Sequence, residues 1–283
     1  IGDNRKAAKT LACYNKRFGC TTEYLKAKAR ILANAARPTP SLAIVKRLLC
    51  EDPKNFDLHG TYVLDLYYNN RPIEMFQALK TLRSLQPNNQ EGKDIAAFVT
   101  TPYRSNVSLD TFRSRDSDSV DIIRGVFTGQ LFFTPVTQLL AAAREERVSA
   151  DIPSGLSPIN GGNGLNISSA MVGINQRINP KLLIGGTVGE AHFTSPGGQQ
   201  PLPFTLRSSN APISQNTLIY YLTANIQPTD NILINLLESR DYYDVSAKAV
   251  SLGVKQELTQ LQFNWEPWFQ RYLVVVASYG NYS

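Results

Sequence analysis

The feature that most constrains the fold is a 34-residue repeat that ends partway along the chain. Pro38 and Pro72 stand 34 residues apart, and so do Pro53 and Pro87. A period of that length is typical of paired helices that stack on a neighbouring pair. After about residue 97 the pattern changes to short runs of alternating apolar and polar residues, joined by turns that contain proline. The chain therefore carries two architectures in succession.

The first region is predicted to consist of tetratricopeptide repeats, one over 22–55 and the next over 56–89. In the second repeat Leu58, Tyr62 and Leu66 recur every four residues, which gives one helix an apolar stripe for packing against its partner. Because about three repeats are usually needed to bury a continuous core, further repeats are expected before this sequence begins. Additional helices are predicted over 3–20 and 90–100.

Positive charge is concentrated in the helical region. The whole chain carries 29 Lys and Arg against 23 Asp and Glu, whereas residues 1–97 alone carry 16 against 9. This excess has two interpretations, an ordinary solvated helix surface or a track for an anionic partner. Nucleic acid is not expected, since no recognition motif or set of stacking aromatics accompanies the charge. The candidate partner-binding residues of this basic face are Lys16, Arg17, Lys26, Lys28, Arg30, Lys46 and Arg47.

The second region is predicted to be made of β-strands. Its clearest alternation puts Leu218, Tyr220 and Leu222 on one face and Tyr221 and Thr223 on the other. One face is then apolar and the other mostly polar, as expected of a strand that lies between two different solvents. Nine strands are predicted, over about 104–114, 119–133, 136–148, 165–178, 181–192, 217–227, 231–241, 249–258 and 268–281.

The connections between these strands alternate in length. Short turns that contain proline are followed by long polar loops, which is the pattern of an outer-membrane β-barrel. No run approaches the roughly 18 consecutive apolar residues of a membrane-spanning helix, so a membrane role has to use strands. The short turns are Thr134-Pro135, Asn179-Pro180-Lys181, Gln227-Pro228-Thr229-Asp230 and Glu266-Pro267, and the longer connections are 149–164, 193–216 and 242–248.

Bacterial single-chain barrels normally have an even number of strands, so nine strands predict a barrel that is completed beyond Ser283. We therefore expect an α plus β fold with two separate domains. These are a tetratricopeptide α-solenoid over 1–97, a linker over 98–103 and an antiparallel, incomplete transmembrane β-barrel over 104–283. The alternative for the second domain is a soluble all-β fold, in which the apolar faces pack against each other.

Helical repeats that run into Arg115-Asp116-Ser117-Asp118 and then into such strands resemble the outer-membrane exopolysaccharide exporters. That group contains the cellulose synthase C subunit and the poly-N-acetylglucosamine porin. The ending Tyr279-Gly280-Asn281-Tyr282-Ser283 is similar to the approach to an outer loop in the same group. The resemblance implies periplasmic repeats that bind the polymer, or periplasmic or inner-membrane synthase components. It also implies a barrel in outer-membrane lipid that passes the polymer outward.

No catalytic constellation is found in the sequence. His59 and His192 are the only histidines, and neither has a Cys, Asp or Glu cluster at metal-ligand spacing. Glu145 and Glu146 are adjacent, so on a strand they point to opposite faces and cannot act together as acid and base. We therefore expect no enzyme activity, no catalytic residues, no metal site and no cofactor.

The three cysteines all lie in the helical region. Cys13, Cys20 and Cys50 form no CxxC pair and are odd in number, which favours neither a zinc site nor a disulfide framework. We expect them to be small buried core residues. The alternative is a bridge between Cys13 and Cys20, which requires an oxidising compartment.

The function predicted from these features is that of an outer-membrane export porin that passes a secreted polysaccharide, with its helical domain in the periplasm. The alternative is an outer-membrane receptor or assembly scaffold without transport, of the phage-adsorption type. A third possibility is a soluble repeat protein with a β domain. The residues predicted to line the lumen and the substrate path are Tyr221, Thr223, Asn225, Lys255 and Glu257.

Overall fold

The computed structural model describes residues 4–34, 37–117, 119–151, 154–196, 212–242, 246–268 and 271–283. The helices are α1 (Asn4–Phe18), α2 (Thr22–Asn34), α3 (Pro38–Glu51), α4 (Phe56–Tyr68), α5 (Pro72–Leu85), α6 (Gln90–Thr100) and α7 (Ala247–Ser251), and Thr101–Tyr103 form a 3₁₀ turn. The strands are β1 (Asn106–Arg115), β2 (Val120–Thr134), β3 (Thr137–Ala150), β4 (Gly164–Asn179), β5 (Leu182–Ser195), β6 (Ile213–Thr229), β7 (Ile232–Tyr242), β8 (Lys255–Trp268) and β9 (Arg271–Tyr282). Within the described ranges, every helix is too short or too polar to span a bilayer.

The 34-residue period corresponds to a repetition of helix starts. α4 follows Asn55 and α6 follows Asn89, and each of these side chains accepts a hydrogen bond of 3.1 Å from the backbone N–H three residues later. Such a cap satisfies one of the N–H groups that a helix start leaves unpaired. α3 and α5 both begin with a proline, which is tolerated there because the first turn needs no N–H donor.

The prediction of a tetratricopeptide α-solenoid is wrong. The structure has six short helices that lead through the 3₁₀ turn directly into the sheet, and α3 to α6 contribute to one apolar core. The helix starts do recur every 34 residues, at Asn4, Pro38 and Pro72 and again at Thr22, Phe56 and Gln90, but among the described residues this core takes none from α1 or α2, so it does not continue along all the helices as in a solenoid. The core consists of Leu42, Phe56, Val63, Leu66, Met75, Ala78, Leu79, Leu82 and Val99.

The cysteines are also placed differently from the prediction. Cys13, Cys20 and Cys50 are all exposed and none is in a disulfide. The buried positions of α3 are instead taken by Leu42, Val45 and other residues on the face turned toward the neighbouring helices. A cysteine is small and apolar enough for a core, but its residue type alone does not determine which face of the helix it occupies.

The nine strands form one antiparallel sheet in sequence order, from β1 at one edge to β9 at the other. Two-residue turns join β2 to β3, β4 to β5 and β6 to β7, and the last of these contacts the helices. The strand ends that are joined by the longer connections, between β3 and β4 and between β5 and β6, lie at the opposite end of the sheet. We call these two ends the helix end and the loop end. The expectation of nine antiparallel strands is confirmed.

One predicted strand, over 249–258, is wrong in its first half. The chain there forms α7, and the Ser246 side chain caps it by accepting a 3.2 Å hydrogen bond from the N–H three residues later. Alternation this short fits one helical turn as well as a strand, and burial of Val250 in the core at the loop end favours the helix. The strand that follows is β8, so the turn predicted at Glu266-Pro267 lies inside it.

The sheet is strongly curled. In a flat sheet β3 and β7 would lie about 19 Å apart, because neighbouring strands are separated by about 4.8 Å. In the structure Arg144 on β3 and Asp241 on β7 are joined by a hydrogen bond of 3.0 Å between Nη2 and Oδ1. The face that carries this pair is therefore concave, and the opposite face is convex.

Two glycines allow the tight curl. A Cβ added to Gly173 would overlap the carbonyl oxygen of Gly186, and one added to Gly189 would overlap that of Ala170. A side chain at either position would therefore push the neighbouring strand away. Glycine inside a strand often marks such a close approach, and curved sheets depend on it.

Candidate functional site

The convex face carries a band of exposed apolar side chains. Val172 on β4, for example, is 65% exposed. Toward the loop end the same face becomes polar, at positions such as Glu145, Glu190 and Glu238. A continuous exposed apolar surface of this kind marks contact with lipid or with another protein. The band includes Val107, Leu109, Ile123, Phe127, Leu131, Leu139, Val172, Ile174, Ile184, Val188, Leu218, Leu222, Leu236 and Leu261.

The concave face carries a row of polar side chains near the helix end. Gln138 on β3 donates a hydrogen bond of 2.7 Å to Gln130 on β2 and accepts one of 2.8 Å from Asn175 on β4. The strand register continues this row through Gly185 to Thr223 on β6. The row consists of uncharged amides and a hydroxyl, which can both donate and accept hydrogen bonds.

Three of the residues predicted to line a lumen lie together on the concave face. Tyr221, Thr223 and Asn225 alternate along β6, where the hydroxyl of Tyr221 donates a hydrogen bond to Asp241. The side chains between them point to the convex face, as the period of two residues in a strand requires. The structure thus supports the assignment of sides that was made from the sequence.

The other two predicted lumen residues do not join them. Glu257 lies on the convex face, in an ion pair of 3.5 Å with Arg240. Lys255 begins β8 at the loop end, where it lines a small cavity of about 100 Å³ together with Phe193 and Tyr242. The error has one source, because the prediction assumed that a strand ran through the segment that forms α7.

At the loop end the concave face is covered by α7 and the connection between β3 and β4. The Leu156 carbonyl accepts a hydrogen bond of 2.9 Å from the N–H of Lys248, which ties that connection to α7. Phe193 is 2% exposed and packs edge to face on Tyr242, with ring centroids 5.2 Å apart. The apolar core below α7 consists of Val120, Val148, Ala150, Leu165, Ile167, Ala191, Phe193, Ile219, Tyr242, Ala247 and Val250.

Two ion pairs lie on the concave face next to this core. Arg124 Nε is 2.6 Å from Glu146 Oε2, and the Tyr242 hydroxyl donates to the same oxygen at 3.3 Å. Arg144 binds Asp241, and its guanidinium lies 4.4 Å from the centroid of the Tyr242 ring. Removing one partner of a buried ion pair typically costs about 3–5 kcal/mol, because the other charge is left unpaired. Of the two pairs, the one between Arg144 and Asp241 joins β3 to β7 and therefore helps to hold the sheet in its curled shape.

Neither ion pair is predicted from the sequence. The two-residue turn at Pro135 pairs Thr134 with Thr137, a register that would place Arg124 opposite Arg147. An irregularity between Phe132 and Thr134 shifts the register by one residue and brings Arg124 opposite Glu146 instead. No local signal exists for Arg144 and Asp241, because they are 97 residues apart and meet only through the curl of the sheet.

At the helix end the concave face opens into a cavity of about 440 Å³. Tyr103 packs edge to face on Phe132, with centroids 5.6 Å apart, and Tyr67 packs on Tyr68 at 5.2 Å. Burial raises the pKa of the Tyr103 hydroxyl above its usual value, so this group stays neutral. We call this space the aromatic cavity. Its amide and guanidinium side chains are Gln138, Asn175 and Arg177 from the sheet and Asn70 from the segment between α4 and α5.

A second junction joins the helices to the sheet at the β6–β7 turn. The N–H of Thr39 donates to Asp230 Oδ2 at 3.0 Å, and the Asn70 amide donates to Gln227 at 2.9 Å. A cavity of about 430 Å³ lies beside these contacts. The hydrogen bonds position the helices next to the aromatic cavity.

Asp65 on α4 lies near this junction and has no exposed surface. Burial raises the pKa of its carboxyl to about 7 against the opposing hydrogen bond from Ser41, and the charge of Asp230 adds to the rise. Ser41 Oγ lies 2.7 Å from Asp65 Oδ2 and 2.9 Å from the carbonyl oxygen of Ala29. One hydroxyl hydrogen cannot serve both oxygens. Both contacts are satisfied when Asp65 is protonated and donates to Ser41.

The predicted basic face is spread over three helices. Lys26 pairs with Glu23 at 3.2 Å and Arg47 with Glu51 at 3.8 Å. Exposed pairs of this kind contribute little and leave the surrounding surface basic. The predicted residues lie on α1 (Lys16, Arg17), α2 (Lys26, Lys28, Arg30) and α3 (Lys46, Arg47).

The described residues contain no group of three or more His, Cys, Asp or Glu that could hold a metal ion. His59 contacts the Pro53 carbonyl at 2.9 Å, and His192 contacts Asn216 at 2.5 Å. What the concave face offers instead is a row of neutral hydrogen-bonding groups that starts at an aromatic cavity. Comparison with protein-family models, curated proteins and solved structures finds no match for the chain.

Proposed function

We propose that the protein is an outer-membrane export porin for a polysaccharide, with its helices in the periplasm. The observation that carries the proposal is the division of one curled sheet into a convex face with an exposed apolar band and a concave face with a row of polar side chains near the helix end. Antiparallel strands cross an outer membrane when apolar side chains face lipid and polar ones face an aqueous interior. In this proposal the convex band contacts lipid, and the concave face forms part of the wall of the path.

The polymer enters at the aromatic cavity and passes along the amides of the concave face. Short turns at the helix end and longer connections at the loop end agree with this direction, because outer-membrane barrels have short periplasmic turns and longer outer loops. Neutral amides and hydroxyls suit a sugar chain, since a path has to bind its cargo weakly at many places. The basic face of the helices is the surface offered to synthase components.

Two adjacent residues of β6 provide a direct test of the membrane part. In a chain whose natural cysteines are replaced by serine, Leu222→Cys and Thr223→Cys place single thiols on opposite faces. After reconstitution into liposomes, a charged maleimide should label Thr223→Cys quickly and Leu222→Cys slowly. A lipid-soluble maleimide should reverse the order. Equal and rapid labelling of both by the charged reagent would show that the convex face is in water, and the proposal would fail.

Transport is tested with the same pair of positions in cells that make the polymer. Thr223→Phe narrows the path, so polymer output should fall strongly. Leu222→Phe changes only the convex face and should leave output unchanged. If both variants export as well as the unaltered protein, the concave face is not the path.

A second candidate function is supported by the covering of the loop end. α7 and the connection before β4 bury the concave face there in an apolar core, as expected of a receptor without transport. Deletion of residues 1–97 separates the two functions. An exporter should then lose polymer output, whereas a receptor should still bind its outside ligand.

A further inference from the structure

The aromatic cavity contains one charged side chain, Arg177 on β4, and that side chain has no carboxylate partner. Its guanidinium makes no ion pair or hydrogen bond with any residue that the structure describes. None of the described residues that line the cavity is Asp or Glu. Glu74 borders a neighbouring space on the other side of Arg177, but it is already paired with Arg71 at 3.1 Å.

A half-buried guanidinium without an anion is an incomplete interaction. A charge that is partly removed from water loses hydration, and proteins usually compensate it with an opposite charge. Arginine binds carboxylates through two parallel hydrogen bonds, which makes a carboxylate a well-matched partner. The missing anion is therefore expected to come from a bound molecule.

The rest of the cavity suits a sugar ring. Tyr68 is 44% exposed, and Tyr103 and Phe132 present further ring surfaces to the same space. A sugar ring has apolar C–H faces that can stack on such rings and hydroxyl groups at its edge. Gln138 and Asn175 line the same cavity and offer amide groups to those hydroxyls.

We propose that the aromatic cavity binds a carboxylate-bearing sugar unit, with Arg177 on the carboxylate and the aromatic rings on the sugar face. The exported polymer is then an acidic polysaccharide. This inference rests on the proposed function and names its substrate class. The charge of the helical region agrees with it, since 16 basic against 9 acidic residues over 1–97 attract an anionic chain toward the entrance.

Binding of two matched oligosaccharides tests the inference. The full chain in detergent is titrated calorimetrically with a galacturonate hexamer, with the same hexamer in fully methyl-esterified form, and with monomeric galacturonate. We expect the acid hexamer to bind at least about tenfold more tightly than the ester, as a charge-assisted bidentate contact would give. The monomer should bind much more weakly than the hexamer, because it makes fewer ring contacts.

Variants at Arg177 test whether the preference for the acid hexamer over the ester arises in the aromatic cavity. Arg177→Gln should remove the preference for the acid over the ester, and Arg177→Lys should restore part of it. Arg83→Gln, on the exposed surface of α5, removes the same charge elsewhere and should leave the preference intact.

Equal affinity for acid and ester would overturn the inference while leaving a neutral polysaccharide as the cargo. Loss of the preference in Arg83→Gln as well as Arg177→Gln would assign it to overall charge and would also overturn the inference. If none of the three sugars binds, the inference is overturned as well. The thiol-labelling test of membrane insertion is independent of all these outcomes, so failure of the porin proposal can be recognised separately.

Discussion

The two ends of the concave face are built from the same strands but are filled differently. At the loop end Phe193 packs on Tyr242 in a closed core, and at the helix end Tyr103 packs on Phe132 beside an open cavity of about 440 Å³. The ring distances are similar, 5.2 Å and 5.6 Å. The difference lies in what covers the rings, because α7 closes only the loop end. Alternation along the strands decides which side chains face inward, and the connecting segments decide whether the inside is dry.

The largest expected effect concerns the curl that both ends share. Gly189→Ala would put a Cβ into the carbonyl oxygen of Ala170, so we expect the sheet not to fold. The control is Gly125→Ala on β2, where a Cβ meets nothing within 4 Å. Heat-modifiable migration on gels and circular dichroism should show folded protein for Gly125→Ala alone. Normal folding of Gly189→Ala would mean that the strands are not so close there.

The second largest effect is expected from removing one ring of each aromatic pair and comparing the losses in the free energy of unfolding. Phe193→Ala removes a ring that is 2% exposed, and loss of a buried Phe typically costs about 3–5 kcal/mol. Phe132→Ala removes a partly exposed ring beside the open cavity, and we expect a cost of roughly 1 kcal/mol. Urea unfolding in detergent gives both values. If both variants lose the same free energy of unfolding, the loop end is not better sealed from water than the helix end.

The pH dependence of stability is the third test, and it concerns the helix end. The pKa of Asp65 is about 7 in the folded protein, above its usual value of 3.8. The folded state therefore binds the proton more tightly than the unfolded state does. The stabilisation is complete below pH 3.8 and is lost as the pH rises to about 7, by on the order of 2–4 kcal/mol. Urea unfolding followed by helical circular dichroism at several pH values measures this loss.

Asp65→Asn provides the control for that experiment. The amide is neutral at every pH and can still donate to Ser41, so the decrease in stability between pH 4 and pH 7 should disappear. If the variant retains the decrease, another group is responsible for it.

The smallest effect is expected in the amide row. Gln138→Ala removes hydrogen bonds of 2.7 Å and 2.8 Å to Gln130 and Asn175. Water can replace the lost partner at an open end, so the free energy of unfolding should fall by only about 0.5–1 kcal/mol. A loss as large as that of Phe193→Ala would indicate that this part of the concave face is sealed from water.

The strands were predictable because apolar and polar residues alternate within each strand, and this pattern can be recognised in a short stretch of sequence. Leu222 and Thr223 are adjacent in β6 and therefore lie on opposite faces of the sheet. The turn between β2 and β3 is marked in the sequence by Pro135. The solenoid prediction failed because the 34-residue period records helix caps such as Asn55, which do not determine how the helices pack. The aromatic cavity could not be predicted, since Tyr67 and Arg177 meet only where the helices contact the sheet.

Each strand of the sheet pairs only with its neighbours in the sequence. Assembly can therefore proceed hairpin by hairpin, with little loop-closure entropy to overcome at each step. The contact between Arg144 and Asp241 is different, because it spans 97 residues and needs β4 to β6 already in place. Joining these two side chains is thus a late step, which turns a flat ribbon of hairpins into a trough.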